Sequence, residues 1–185
     1  MTQGNRSEDV IALLHRQHRE IRRLFTDLET AHGDQRRELF RNLVRLLSVH
    51  ETAEEEVVHP EVRRLRDAEA VVEARIGEEH RAKQLLSTLD EIGPDAEGFD
   101  TLLQQLRDDV LAHAEHEERE ELPLLAKAIN PERLQTMAAT VRAAEAIAPT
   151  QPHPGIEDAT TNVLLGPPMA IMDWTRDVIR KAIGR

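Results

Sequence analysis

The chain has 185 residues, 39% of them hydrophobic and 32% charged, with a net charge of −11, one Trp, no Tyr and no Cys. This describes a globular protein with one sizeable core, with or without a tail; missing Cys excludes disulfides, thiolate sites and iron–sulfur clusters, and the acidity argues against nucleic acid or anionic membrane as main partner. No charged-then-apolar leader opens the chain and no apolar run nears the ~18 residues that span a bilayer, so a cytoplasmic protein without a transmembrane segment is expected.

Helix-forming Ala, Leu, Glu and Arg dominate. Ser7 is a candidate N-cap for a first helix, with Glu8 and Asp9 in its first turn and an apolar stripe at Ile11, Leu14, Ile21, Phe25 and Leu28. "HGDQ" (32–35) ends it, with Gly33 past the end and Asp34 capping the next helix. The second helix carries Leu39, Leu43, Leu46, Leu47 and Val57, and Pro60 should end or kink it before about Arg64. A third runs from about Asp67 to Ile92, stopped by Gly93-Pro94. A fourth carries Phe99, Leu102, Leu106 and Val110 and reaches about Leu122, just before Pro123. Asn130 and Pro131 open a fifth, as N-cap and first helical residue. Residues 149–185 change character: "PTQPHPG" and "LLGPP" read as extended or turn-rich, then an amphipathic segment runs from Met169 to Ile183. The expected organisation is a bundle over 1–148 and a tail over 149–185, whose apolar face (Met169, Met172, Val178, Ile179, Ile183, with Trp174) packs on the bundle, a second subunit or another protein.

The four main helices hold an internal repeat. "HETAEEEVVHP" (50–60) and "HAEHEEREELP" (113–123) share one frame: His50 recurs as His113, Glu54 as Glu117 and Pro60 as Pro123, each 63 residues on. His18 recurs as His80 after 62 residues. Each half is then a helical hairpin, and two hairpins with short loops make an up-down four-helix bundle, an all-α fold. Residues i and i+4 share a helix face. The stripes around His50–Glu54 and His113–Glu117 turn both pairs into the core, where a carboxylate is costly unless paired or bound to a metal. His18 lies within its own stripe. His80 enters through the repeat offset, since Leu85 and Leu89 point elsewhere. The candidate ligand set is His18, His50, Glu54, His80, His113 and Glu117. Imidazole with carboxylate suits iron, manganese or zinc, and Glu54 and Glu117 are placed to bridge two metals about 3.5–4 Å apart.

Other polar residues read as bystanders. His15 and His116 sit at the edges of their faces, and His153 lies in the Pro-rich tail. His59 falls about 180° from His50 on an ideal helix and so should face out unless Pro60 redirects it. Glu120 lies one turn beyond Glu117 on the inner face and could support the site. "EVVH" (56–59) occurs once where ferritin-type sites need the motif twice, and "HETAE" lacks the second His of a zinc protease.

The pattern H…HxxxE…H…HxxxE, carried by "QHREIRRLF" (17–25), "HETAEEEVVHPEVR" (50–63), "EEHRAKQLL" (78–86) and "HAEHEEREELPLL" (113–125), resembles the hemerythrin-like (HHE cation-binding) family. "APTQPHPG" looks like the tail of its extended actinobacterial members. The resemblance implies a four-helix bundle around a non-haem di-iron centre, two Fe bridged by carboxylate and oxo or hydroxo groups, held by His18, His50, Glu54, His80, His113 and Glu117; the same donors also suit Mn or Zn. It implies chemistry with hydrogen peroxide, NO or O2, in oxidative or nitrosative stress. The alternative is an O2-, NO- or iron-sensing or metal-binding module that acts through its tail without turnover. The family's O2 carriers have a His where this chain has Gln84, and many members have a Tyr where it has His59. Both departures point away from reversible O2 carriage, toward redox chemistry or sensing.

Overall fold

The computed structural model describes residues 8–148 and 167–184; Ser7 and, within "APTQPHPG", everything after Ala148, His153 included, lie outside the described residues. These are all helix and connecting turns: α1 (Val10–Thr30), α2 (Gly33–Ala53), α3 (His59–Val62), α4 (Glu69–Ile92), α5 (Phe99–His116), α6 (Leu122–Ala128), α7 (Pro131–Ile147) and α8 (Pro167–Ala182). π-helical turns at Glu54–Val58 and Glu117–Glu121 join α2 to α3 and α5 to α6, so four rods form the bundle expected from the sequence. Hairpin one is α1 packed on α2, and hairpin two is α4 packed on α5. α7 lies against α1 and α2, and α8 against α2, α4 and α7. None of the described helices is long and apolar enough to cross a membrane.

Helix boundaries follow local chemistry. Asp9 caps α1 by accepting from the Ala12 amide at 2.9 Å, and Asn130 caps α7 by accepting from Arg133 at 2.8 Å. Gly93, with φ +77°, stops α4 in a conformation that suits glycine. α2 begins earlier than expected, with His32 at its N-cap and Asp34 inside its first turn. The fourth rod does not stop near Leu122 but continues as α6 to Ala128.

The two prolines explain both π turns. Pro60 and Pro123 cannot donate to the carbonyl four residues back, and their rings crowd it. The chain widens instead: the amide of His59 bonds to the Glu54 carbonyl and that of Leu122 to the Glu117 carbonyl, each five residues back. One wide turn sets later side chains back by roughly 100°, which decides what the following residues face.

The core has two apolar ends. One is built on Ile21, Phe25, Leu43, Leu86, Phe99 and Leu106, the other on Val10, Leu14, Val58, Val72, Leu125 and Met137. Between them every rod turns polar on its inner face: Gln17 and His18; His50, Glu51 and Glu54; Arg75 and Glu79; His113, Glu117 and Glu121. The candidate site is this layer.

Candidate metal centre

Five of the six residues singled out in the sequence converge in the layer, all buried. Donor atoms of His18, His50, Glu54 and Glu117 lie within 4.8 Å of one another. His18 Nε2 is 3.2 Å from Glu117 Oε2, and His50 Nε2 is 3.4 Å from Glu54 Oε1. The other oxygens of both carboxylates face His113, whose Nε2 is 3.5 Å from Glu117 Oε1 and 3.9 Å from Glu54 Oε2. Each carboxylate thus offers one oxygen to either side, as a bridging ligand does.

The three imidazoles are aimed by hydrogen bonds at their other nitrogen. His50 Nδ1 meets Gln17 Oε1 at 3.0 Å, His113 Nδ1 meets Glu78 Oε2 at 3.0 Å, and His18 Nδ1 meets Glu118 Oε1 at 2.8 Å. A proton on Nδ1 leaves the Nε2 lone pair pointing into the layer, the arrangement of metal-ligating histidines. His15 and His116 share the carboxylates of Glu118 and Glu78 from outside.

His80 is not brought in. It lies on the exposed side of α4 and contacts Gln84 at 2.9 Å. The physical reason is register. The inner stripe of α4 is Arg75, Glu79, Ala82, Leu86 and Leu89, and it matches Leu14, His18, Ile21, Phe25 and Leu28 of α1 at an offset of 61, one residue short of the His18–His80 spacing. Packing sets which face turns inward, so Glu79 takes the place opposite His18. The same offset pairs Gln17 with Glu78, and these two residues hold His50 and His113 in the same way.

His59 is also corrected. The π turn rotates it inward, where it is buried between Glu79 at 2.5 Å and Glu121 at 2.8 Å. Glu120 is turned out by the second π turn and meets Arg119 and Arg75; Glu121 occupies the buried position instead. Glu51, buried on α2, forms with Glu79 and His113 a second cluster whose donor atoms lie within 4.8 Å. The inner stripe of α4 could have revealed Glu79 from the sequence. His59 and Glu121 needed the π turns.

Five carboxylates, of Glu51, Glu54, Glu79, Glu117 and Glu121, are buried in or beside this layer, against one buried Arg, Arg75. Without a cation the cluster shares protons. Burial and Glu117 hold Glu54 well above the usual carboxylate range, and burial and Glu79 push Glu51 up to about 8. Burial and the neighbouring His18 push His50 down to about 3. Burial alone would lower His113, but Glu117 and Glu54 outweigh it and hold the ring well above its ordinary value. Burial alone would raise Glu117, but His113 and His18 pull it well below.

The residues fit a metal. His18 Nε2, His113 Nε2, both oxygens of Glu54 and Glu117 Oε2 are buried with no hydrogen-bond partner. Such atoms cost about 1–3 kcal/mol each when left unpaired, and all lie in one pocket of imidazole and carboxylate, a donor set suited to iron, manganese or zinc. A tight crevice lined by Ile21, Val110, Leu111 and Ala114, with no room for a water molecule, lies between α1, α2 and α5 and touches His18, His50, Glu51 and His113.

The Hemerythrin HHE cation binding domain matches residues 9–125. A solved structure, the hemerythrin HHE cation-binding domain-containing protein of Mycobacterium kansasii, superposes with a TM-score of 0.65 at 18% identity, covering 94% of this chain and 98% of that one. A Nostoc sp. protein named DNA nickase is 28% identical over 148 residues, 78% of this chain. The match spans 42% of that relative's length.

Proposed function

Since the chain belongs to the hemerythrin HHE cation-binding domain family, whose members bind metal ions, commonly iron, we propose that it is a non-haem di-iron protein that reacts with small oxidants: hydrogen peroxide, NO or O2. The observation that carries this reading is the set of partnerless buried donors on His18, Glu54, His113 and Glu117, aimed at common points between two apolar ends. When bound, the iron pair supplies redox equivalents and an open coordination position.

The chain's own groups have separate tasks. His18, His50 and His113 hold the ions through Nε2 while Glu118, Gln17 and Glu78 fix their rings. Glu54 and Glu117, with one oxygen toward His18 and His50 and the other toward His113, would be shared between the ions. The crevice behind Ile21, Val110 and Leu111 is closed to a water-sized molecule, so a small oxidant enters only when these apolar side chains move aside. His59, held between Glu79 and Glu121, keeps a proton near the layer: burial alone would lower its pKa, but the two carboxylates raise it to about 11. Nucleic acid is no part of this reading, because a chain of net charge −11 repels a polyphosphate, and the Nostoc match covers under half of that protein.

Metal content and the visible spectrum of protein purified aerobically from iron-supplemented cells test the proposal, followed by peroxide and NO consumption. Two irons per chain with turnover support it. Iron without turnover favours the second reading, a sensing module. One observation supports that alternative: Arg176 and Arg180 of α8 grip Glu55 and Glu56, at 3.2 and 2.8 Å, in the π turn that carries Glu54. Zinc in stable protein would sink the di-iron reading and leave a metal-binding module, and no metal would sink both.

A further inference from the structure

The two halves of the layer are unlike, and the difference says how each ion is held. Around His18 and His50 the donors are two imidazoles plus one oxygen each from Glu54 and Glu117. On the far side the bridging oxygens meet one imidazole, His113. The position that His18 fills in hairpin one is filled by Glu79 in hairpin two. The offset of 63 that relates His50 to His113 also relates Glu51 to Ala114, so the far half gains a carboxylate where the near half has a methyl group.

We propose that Glu51 and Glu79 complete the second cation position with His113, Glu54 and Glu117, giving a nitrogen-rich site beside a carboxylate-rich one, with His80 outside both. The inference rests on the di-metal reading above and deepens it. Three observations support it independently of the family. Donor atoms of Glu51, Glu79 and His113 lie within 4.8 Å of one another. Glu51 Oε2 and His113 Nε2 are buried without a hydrogen-bond partner. Glu79 is held in place by His59 at 2.5 Å and Lys83 at 3.2 Å, one on each oxygen, and a carboxylate oxygen can accept a second partner.

The chemistry of the two positions then differs. The near site suits an ion that favours imidazole, such as Fe(II) or Zn(II). The far site, with four carboxylates and one His, suits a harder ion, Mn(II) or oxidised iron.

Ion-free protein titrated anaerobically with Fe(II), with bound iron counted, tests this. Wild type should take up two ions per chain. The double variant Glu51→Gln/Glu79→Gln should keep one and bind the second at least 100-fold more weakly, while His80→Ala should keep both at wild-type affinity. Two tightly bound ions in the double variant, or one lost in His80→Ala, would overturn the assignment. Fewer than two ions in wild type would instead overturn the di-metal reading beneath it. A measurement without mutation guards against a variant that fails to fold. Mössbauer spectra of the wild-type di-Fe(II) protein should show two distinct quadrupole doublets of equal area, and a single doublet would contradict unlike ligand sets.

Discussion

Hairpin one brings His18 to the polar layer from α1; hairpin two brings Glu79 from the equivalent place on α4 and leaves His80 exposed. Their second helices agree closely: His50 and Glu54 match His113 and Glu117, each pair runs into a π turn, and each turn is followed by a proline. The difference lies in register. Second helices align at 63 residues and first helices at 61, so a residue of the same type 62 along sits about 100° off the inner face. A repeat in sequence is kept only where packing keeps its register.

The largest expected effect falls on what the hairpins share. Glu117→Ala removes an oxygen from each ion and leaves His18 and His113 facing an empty space. Iron content should fall from two per chain toward zero; retention of both ions would show that Glu117 does not bridge. The next effect separates the first helices. His18→Ala should lose the near ion, and His80→Ala should lose none, by metal analysis of both variants. Equal losses would restore His80 to the site and break the comparison.

The fold was legible because its signals are redundant. Stripes such as Leu39–Leu43–Leu46–Leu47 repeat over several turns, Asn130-Pro131 and Gly93-Pro94 mark ends by local sterics, and the doubled His-x-x-x-Glu places two pairs inward at once. His80 departs from its expected place because one matching residue counts for less than the stripe Ala82–Leu86–Leu89, whose burial sets the helix face. His59 and Glu120 depart from the sequence expectation for another reason. An ideal rotation per residue does not hold ahead of Pro60 and Pro123, where one π turn shifts every later side chain.

Away from the layer the offset of 61 can be tested by packing alone. It pairs Phe25 with Leu86, both fully buried at the same apolar end. Phe25→Ala should cost about 3–5 kcal/mol and Leu86→Ala about 2–5 kcal/mol, read from denaturant unfolding. Ser87, the residue 62 along from Phe25, is half-buried, and Ser87→Ala should change stability by less than about 0.5 kcal/mol. A smaller effect concerns the groups that aim the rings. Gln17→Ala and Glu78→Ala should each weaken iron binding roughly 10- to 100-fold without changing its stoichiometry. If only one of them did so, the equivalence of the two aiming bonds would fail.

The mildest test is pH. In the ion-free protein Glu51 keeps its proton up to about 8, through burial and Glu79, and the charged Glu117 and Glu54 keep His113 protonated despite burial. His50, pushed down to about 3, is already neutral at ordinary pH. An ion entering beside His113 and Glu51 must displace protons that an ion beside His50 does not meet, although the shared Glu54 loses its own to whichever ion binds first. Raising the pH toward about 8 removes the Glu51 proton from that competition, so the second ion's affinity should climb by about tenfold or more per pH unit, more steeply than the first. Glu51→Gln carries no such proton and should make that dependence shallower, leaving the part due to His113. An unchanged slope in the variant would place Glu51 outside the ion's reach, and the two halves of the layer would differ by Glu79 alone.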